Sequence, residues 1–164
     1  MGKRGKMSYA DNWNFSEKYI PSIKTIIAKH ANHIVNIEIA EPEADMKYAT
    51  DMIVEVNNGH VAVRIRRSVY SYRDLTIRSY KNGYKTELDK LKEGYADWYL
   101  YAWENKTQSG LAEYILIDLE IARPLFFMDL QEKTNNDGTK FVIIPIPYLK
   151  QFEAIKAHEI LEAA

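Results

Sequence analysis

One acid and a group of arginines flank a predicted β-hairpin, and these residues have the types and spacing that could do chemistry. Asp51 precedes the apolar segment Met52–Val56, which Asn57-Asn58-Gly59 joins to a second apolar segment at 61–65. The arginines that follow are Arg64, Arg66, Arg67, Arg73 and Arg78. A carboxylate can hold Mg²⁺, and the planar guanidinium fork matches the geometry of a phosphate. The layout therefore predicts a site that holds a metal ion and a phosphate group.

Positive charge is concentrated in the segment that follows the hairpin. Residues 61–93 contain nine Lys and Arg against four Asp and Glu, a net charge of +5, whereas the whole chain carries −1. Such a segment can bind a polyanion even in a nearly neutral protein. The alternative is a solvated face of ion pairs, each of which contributes little. On the first interpretation, the residues that bind nucleic acid, DNA more readily than RNA, are Arg64, Arg66, Arg67, Arg73, Arg78, Lys81 and Lys85.

The hydrophobic pattern predicts an α/β (α+β) domain with a central mixed sheet that holds these residues in place. The predicted helices are one that begins between Asn14 and Pro21 and ends near Asn32, one from Thr86 to about Glu104, and one at 149–163. The predicted strands are 35–40, 52–56, 61–65, 75–79, 114–121 and 141–144. Residues 1–12 are predicted to be a flexible basic tail, and residues 13–164 a single domain.

Two segments carry signals about burial. Residues 114–121 form an almost continuous apolar run, which predicts a central strand. From Thr86 onward, apolar residues recur at helical spacing: Leu88, Leu91, Tyr95, Trp98 or Tyr99, and Ala102. On this interpretation Gly94 lies inside a helix, where it costs about 1 kcal/mol relative to alanine. It would mark the close approach of another element.

Composition limits the class of protein. With 46% hydrophobic and 27% charged residues, the chain is typical of a soluble globular protein of one domain. The absence of cysteine excludes disulfides, thiol catalysis and cysteine-ligated zinc. No apolar run approaches the roughly 18 residues that cross a bilayer, and no signal peptide follows the basic N-terminus. We therefore expect a cytoplasmic protein that does not enter a membrane, and a homodimer stays open.

The order of the predicted elements resembles the α-β-β-β-α-β core of the PD-(D/E)XK nuclease superfamily, and the similarity covers roughly residues 16–121. In that family, an Asp at the start of the second core strand and a (D/E)xK motif on the third hold Mg²⁺ and orient water. Asp51 matches the first position, and Ala62-Val63-Arg64 lies where the second motif would be. Glu87 and Lys90 of the following helix complete such a site. The resemblance implies a Mg²⁺-dependent endonuclease that cleaves phosphodiester bonds, of the type found in phages and mobile elements.

The chain departs from the family pattern at two positions, because Ala62 replaces the second acid and Arg64 replaces the lysine. Arginine keeps the positive charge but cannot lose its proton to act as a base. The acids that could supplement Asp51 are Glu17, Glu38, Glu41, Asp45 and Glu87. We take Asp51, Arg64, Glu87 and Lys90 as candidate catalytic residues, and Asp51, Glu38 and Asp45 as candidate metal ligands. Asp45-Met46-Lys47 also spells D-x-K, but it precedes the hairpin and is interpreted as a chance match.

Three classes of function stay open at this point. The first is a metal-dependent nuclease, the second a nuclease-like fold that binds nucleic acid without cutting it, and the third a protein that binds a protein partner. For the second class, cations interleave with aromatic residues that can stack on unpaired bases. These residues are Tyr70, Tyr72, Tyr80 and Tyr84. The alternative for each tyrosine is a place in the core.

Overall fold

Two β-sheets and the helices beside them make up the computed structural model, which describes residues 9–31, 34–39, 52–56, 59–69 and 73–161. The strands are β1 (Ile34–Ile39), β2 (Met52–Val56), β3 (Gly59–Arg66), β4 (Leu75–Tyr80), β5 (Trp98–Glu104), β6 (Leu111–Asp118), β7 (Gln131–Thr134), β8 (Lys140–Ile144) and β9 (Ile155–Ile160). The helices are α1 (Tyr9–His30), α2 (Glu87–Glu93), α3 (Leu119–Ala122), a 3₁₀ helix (Arg123–Phe127) and α4 (Ile146–Gln151).

The larger sheet is mixed, and within the described residues its strand order is β1-β2-β3-β5-β6-β9. β3 and β5 run parallel, whereas every other neighbouring pair in this sheet is antiparallel. A parallel pair needs a crossover connection, and here the crossover contains β4 and α2. This arrangement confirms the predicted α/β (α+β) class with its central mixed sheet. β4 instead joins a smaller sheet in the order β4-β8-β7.

A separate hydrophobic core covers each face of the larger sheet. On one face, α1 packs its buried Tyr19, Ile23, Ile26 and Ile27 against alternate residues of β2, β3, β5 and β6. On the other face, α2, the smaller sheet and α4 pack against the remaining residues of β3, β5 and β6. Each buried Ile side chain contributes about 1.5–3 kcal/mol through the area it removes from water. The sheet is therefore the middle of three layers, and residues that alternate along β3 belong to different cores.

Most predicted strands of the first half are present with small shifts at their ends. The segments predicted at 35–40, 52–56, 61–65 and 75–79 correspond to β1, β2, β3 and β4. β6 lies between β5 and β9, which confirms a strand in the sheet interior, but it ends at Asp118, and residues 119–121 of the predicted strand are helical. The hairpin residues Asn57 and Asn58 lie outside the described residues.

The first helix is longer than predicted. α1 begins at Tyr9, before Asn14, so residues 9–12 of the predicted tail are helical, while residues 1–8 lie outside the described part. Pro21 lies inside α1, where its ring removes one backbone hydrogen bond. The buried stripe continues on both sides of it, at Tyr19 and Ile23, and this burial offsets the loss.

The predicted helix from Thr86 to Glu104 is wrong beyond its second turn. A capping box starts α2, because the Thr86 side chain accepts from the Asp89 amide and the Asp89 carboxylate accepts from the Thr86 amide. Gly94 then ends α2 in the left-handed conformation, with φ of 81°, a position that favours glycine. The helix therefore stops at Glu93, and the close neighbour of Gly94 is the Arg123 guanidinium.

The second half of that predicted helix is the strand β5. Leu100 and Ala102 belong to the core beneath α1, whereas Tyr99, Tyr101 and Trp103 belong to the core on the opposite face. A strand buried on both faces is apolar at nearly every position, so its sequence also satisfies a helical spacing. Its aromatic side chains favour a strand over a helix.

Gly94→Ala discriminates between the two interpretations by the sign of its effect. In a helix interior, alanine would stabilise the protein by about 1 kcal/mol. At a left-handed C-cap, its Cβ instead costs about 1–2 kcal/mol. We expect Gly94→Ala to lower the free energy of unfolding in urea, and Gly94→Asn, which tolerates this conformation better, to lower it less. A stabilised alanine variant would contradict the observed end of α2.

The C-terminal segment also differs from its prediction. The helix expected at 149–163 is wrong, because α4 ends at Gln151 and β9 follows as an antiparallel partner of β6. The chain turns between them at Glu153, which has φ of 57°. A strand followed by a helix was expected at the C-terminal end. The structure has β8, the short helix α4 and then a further strand, β9. No helix in the described part of the chain is long and apolar enough to cross a membrane.

Candidate functional site

The face of β3 that looks away from α1 carries the predicted arginines. Val61, Val63 and Ile65 belong to the core beneath α1, whereas Ala62 belongs to the core that contains α2. Arg64 and Arg66 continue the alternation of Ala62 and are half-buried. In the parallel pairing with β5, Arg64 lies opposite Tyr101 and Arg66 opposite Trp103. The sheet therefore presents both guanidinium groups to the layer that holds α2.

Glu87, in the first turn of α2, ties that helix to both sheets. The Tyr99 hydroxyl of β5 donates a hydrogen bond to Glu87 Oε1. The backbone amide of Arg78 in β4 donates to Glu87 Oε2 over 3.2 Å. Only 4% of Glu87 is exposed. Both carboxylate oxygens are therefore engaged by protein donors, and the side chain is fixed between β4 and β5.

The charges of Arg64 and Glu87 both act on Tyr99. Burial, and next the negative charge of Glu87, raise the pKa of Tyr99 well above its usual value, while the charge of Arg64 opposes this rise. Burial also raises the pKa of Tyr101, against the charges of Arg66 and Arg64 and a hydrogen bond with Thr76. Both tyrosines stay protonated, and Tyr99 acts as a hydrogen-bond donor to Glu87.

Lys90 completes the described part of the site. It lies one turn after Glu87 on α2, and residues at this spacing share one side of a helix. Only 2% of Lys90 is exposed. Burying charged groups costs several kcal/mol per ion unless opposite charges and hydrogen bonds compensate. Lys90 is therefore buried one turn after Glu87 on α2, and Arg64 faces the layer of α2 from β3.

The structure does not describe the side chains of the three candidate metal ligands. Asp51 and Asp45 lie outside the described residues, and for Glu38 only the backbone is described, paired with Ile53. The described residues contain no group of three or more His, Asp or Glu that could hold a metal ion. Glu87 has both oxygens engaged, as shown above. A Mg²⁺ site that includes Asp51 stays a prediction.

The remaining predicted nucleic-acid-binding residues separate into distinct places. Arg67 lies on the α1 side, 3.9 Å from the ring centroid of Phe15. Arg73 forms an ion pair of 3.0 Å with Glu113. Lys81 and Lys85 lie on the connection from β4 to α2, where Lys85 forms an ion pair of 2.6 Å with Glu93. Arg78 lies on β4, and its amide contacts the site as described. Arg64 and Arg66 therefore share one face of β3, whereas Arg67 lies on the α1 side. Arg73 lies near Trp103, the β5 residue opposite Arg66, and is paired with Glu113.

Sequence reasoning missed Tyr99 and Tyr101, which form one wall of the site. Their alternation with Leu100 and Ala102 was the available signal, since an apolar run in which aromatic residues recur at every second position is typical of a strand. The Tyr101 hydroxyl contacts Thr76 Oγ1 at 3.0 Å, so it joins β5 to β4. Together, Tyr99 and Tyr101 position the crossover against the sheet.

A second buried carboxylate, also missed, lies at the end of β5. Glu104 accepts hydrogen bonds from the Tyr19 hydroxyl of α1 and, over 2.9 Å, from the Ser68 amide. Lys18 lies 3.7 Å from Glu104 Oε1. Burial would raise the pKa of Glu104, but the Ser68 and Tyr19 hydrogen bonds and the charge of Lys18 hold it below its ordinary value of 4.5. Glu104 thus anchors α1 to the chain segment that follows β3.

Glu104→Gln should lower the free energy of unfolding by about 1–3 kcal/mol near neutral pH, since an amide oxygen accepts these hydrogen bonds more weakly. A lowered folded-state pKa contributes stability above the ordinary value of 4.5, and this contribution is lost as the pH falls through the folded value. The difference in the free energy of unfolding between wild type and variant should therefore shrink as the pH falls below 4.5. Urea denaturation at several pH values measures it, with the exposed Glu17→Gln as control. Parallel stability curves would contradict the prediction.

Comparisons of the chain with models of known families, with curated proteins and with solved structures find no match.

Proposed function

We propose that the protein acts on nucleic acid as a nuclease-like domain, cleaving phosphodiester bonds with a divalent ion held near Asp51. The observation that carries the proposal is a set of charged residues in one layer of the fold: Glu87 and Lys90 of α2 are buried, and Arg64 of β3 is half-buried. A buried arrangement of acid and cations costs stability compared with apolar residues of the same volume. Such groups concentrate at functional sites, where their charges are needed.

The topology supports this class of function. The chain supplies a helix, three strands, a helix and a further strand in the order that the resemblance implies, with β4 inserted before α2. The parallel pair of β3 and β5 brings Arg64 beside Tyr101, and α2 brings Glu87 to Tyr99. These are separate elements that converge on one face of the sheet. A phosphate at this face would meet an arginine fork that can donate two parallel hydrogen bonds.

Each residue of the site has a proposed role. Arg64 binds the scissile phosphate and stabilises the charge that develops on it. Glu87 holds α2, and therefore Lys90, in place through Tyr99 and the Arg78 amide. Lys90 adds positive charge in a site with little water, where charge interactions are strong. A divalent ion at Asp51 would polarise the phosphate and lower the pKa of a bound water.

Binding without cleavage is the second candidate. Two observations favour it: Ala62 occupies the position where the family has an acid, and both oxygens of Glu87 are already engaged. On this proposal, Arg64 and Arg66 hold a phosphate backbone and no hydrolysis follows.

A single comparison tests both candidates. Purified protein is incubated with mixed DNA and with mixed RNA, in Mg²⁺ and in EDTA, and cleavage is measured beside a gel shift in EDTA. Cleavage that requires Mg²⁺ supports the nuclease. A gel shift without cleavage supports the binding protein. If neither cleavage nor a gel shift is observed, nucleic acid is excluded as the ligand and a protein partner is favoured. A cytoplasmic location, a homodimer and an origin in a phage or mobile element stay predictions.

A further inference from the structure

Three exposed tyrosines lie along the connection from β4 into α2 and at its end. Tyr80 is 46% exposed, Tyr84 59% and Tyr95 38%. Each has a lysine ammonium near its ring: Lys140 lies 5.9 Å from the ring centroid of Tyr80, Lys81 5.7 Å from that of Tyr84, and Lys85 5.9 Å from that of Tyr95. We call these six residues the tyrosine–lysine strip. Tyr84 exposes most of its surface, and three exposed rings in one region, each beside a lysine, point to a binding surface.

The strip is continuous and locally ordered. The Tyr84 amide donates to the Lys81 carbonyl over 2.9 Å and closes a turn, with Gly83 in the left-handed conformation at φ of 77°. Lys85, which follows Tyr84, reaches across to Tyr95 at the far end of α2. The turn therefore holds the Tyr84 ring outward, beside its lysine.

The strip adjoins the candidate site at both ends of its central segment. It begins two residues after Arg78, whose amide contacts Glu87, and Lys85 precedes the cap residue Thr86. The strip is therefore continuous in sequence with the segments that hold Glu87 in place.

We infer that the tyrosine–lysine strip binds a single strand of nucleic acid, which makes a single strand the substrate class of the proposed function on which this inference rests. Exposed aromatic rings stack on unpaired bases, and lysines follow the phosphates between them. In a duplex the base faces are stacked on one another, and a protein reaches only the groove edges and the backbone. The alternation of rings and ammonium groups matches the single strand in both respects.

The test measures binding by fluorescence anisotropy in EDTA. The probes are a labelled DNA strand of about 20 nucleotides, longer than the stretch that one single-strand-binding domain covers, its duplex, and RNA of the same sequence. Wild type should bind both single strands more tightly than the duplex. Tyr84→Ala should weaken single-strand binding by about fivefold or more, the effect of losing one stacked base. Tyr84→Phe should stay close to wild type, because it keeps the ring.

Controls separate stacking from general effects. Phe152 is another exposed aromatic residue, packed against Tyr148, so Phe152→Ala removes an exposed ring outside the strip. It should leave binding unchanged. Replacing Lys81, Lys85 and Lys140 with Gln should reduce the slope of log K against log salt by about 0.7 for each phosphate that a lysine no longer neutralises. Circular dichroism confirms that each variant is folded.

The outcomes distinguish this inference from the proposed function. If Arg64→Ala weakens binding or cleavage but Tyr80→Ala and Tyr84→Ala do not, the strip is excluded and the proposed function stands. If the tyrosine variants lose single-strand binding but wild type never cleaves in Mg²⁺, the strip stands and the cleavage proposal fails. An equal loss for the duplex, or competition by polyglutamate as strong as by the DNA strand, would overturn base stacking.

Discussion

Asp51→Asn is expected to abolish Mg²⁺-dependent cleavage of nucleic acid while leaving folding and binding in EDTA intact. Asparagine keeps the shape of the side chain but loses the negative charge that a hard divalent cation requires. In sequence, Asp51 directly precedes Met52, the first residue of β2, and Met52 pairs with Val63, the neighbour of Arg64 on β3. Binding without metal should become slightly tighter, since one charge that repels phosphate is removed. Cleavage with Mg²⁺ and anisotropy in EDTA measure the two effects.

Asp129→Asn is the matched control, because it removes the charge of an exposed aspartate elsewhere on the surface. It should leave cleavage unchanged. Full activity of Asp51→Asn would show that the Asp51 carboxylate is structural. The protein would then be better described as a binding module, and any cleavage would come from another site or a contaminant.

Arg64→Ala is expected to reduce cleavage by about 100- to 1,000-fold, the usual effect of removing a preorganised charge that stabilises a transition state. Arg64→Lys restores the lysine of the family pattern and keeps the charge, so activity should be retained or improved. The kinetic signature is a fall in kcat with little change in KM, since the interaction strengthens as charge develops.

A second arginine on the same side of the sheet provides the comparison. Arg73 is paired with Glu113 and lies 5.7 Å from the ring centroid of Trp103, away from Glu87. Arg73→Ala should leave kcat close to wild type. If Arg64→Ala cleaved as fast as wild type and Arg64→Lys, the charge at this position would take no part in cleavage, and the proposed role of Arg64 would fail.

The parts of the fold that could be predicted from sequence are those with one clear period. β1 alternates apolar and polar residues, and β2 and β3 flank a turn that favours glycine, so their positions are confirmed closely. β5 is buried on both faces, and its apolar run fits a helix as well as a strand. Residues 98–104 form a strand because they pair with β3 and β6, and Gly94 ends α2 before them.

Some residues of the candidate site could also be predicted from the sequence, and others could not. Glu87 and Lys90 could be chosen because the resemblance assigns charged residues of the helix after the hairpin to the site, and the predicted start of that helix at Thr86 is confirmed. Tyr99 was hidden by the error in β5, because a tyrosine in the buried stripe of the predicted helix would lie on the same helix as Glu87 and would not face it from a strand. The separation of Arg67 from Arg64 depends on how the chain turns after β3, which charge density along the sequence does not encode. Arg67 lies against Phe15 of α1 instead.

The crossover between β3 and β5 has a consequence for folding kinetics. β5 and β6 are joined by a short loop, so their antiparallel pairing closes quickly, whereas the pairing of β3 with β5 must wait until the chain containing β4 and α2 has been arranged. Pairings between residues far apart in sequence form slowly, because the entropy of the open loop must be given up first. Arg64 and Glu87 should therefore meet among the last events of folding. Pulse-labelled hydrogen exchange should protect the β5–β6 hairpin before the Arg78 amide, and the reverse order would contradict this. The site then forms only when β3 pairs with β5, so we expect nascent and partly folded molecules to lack it.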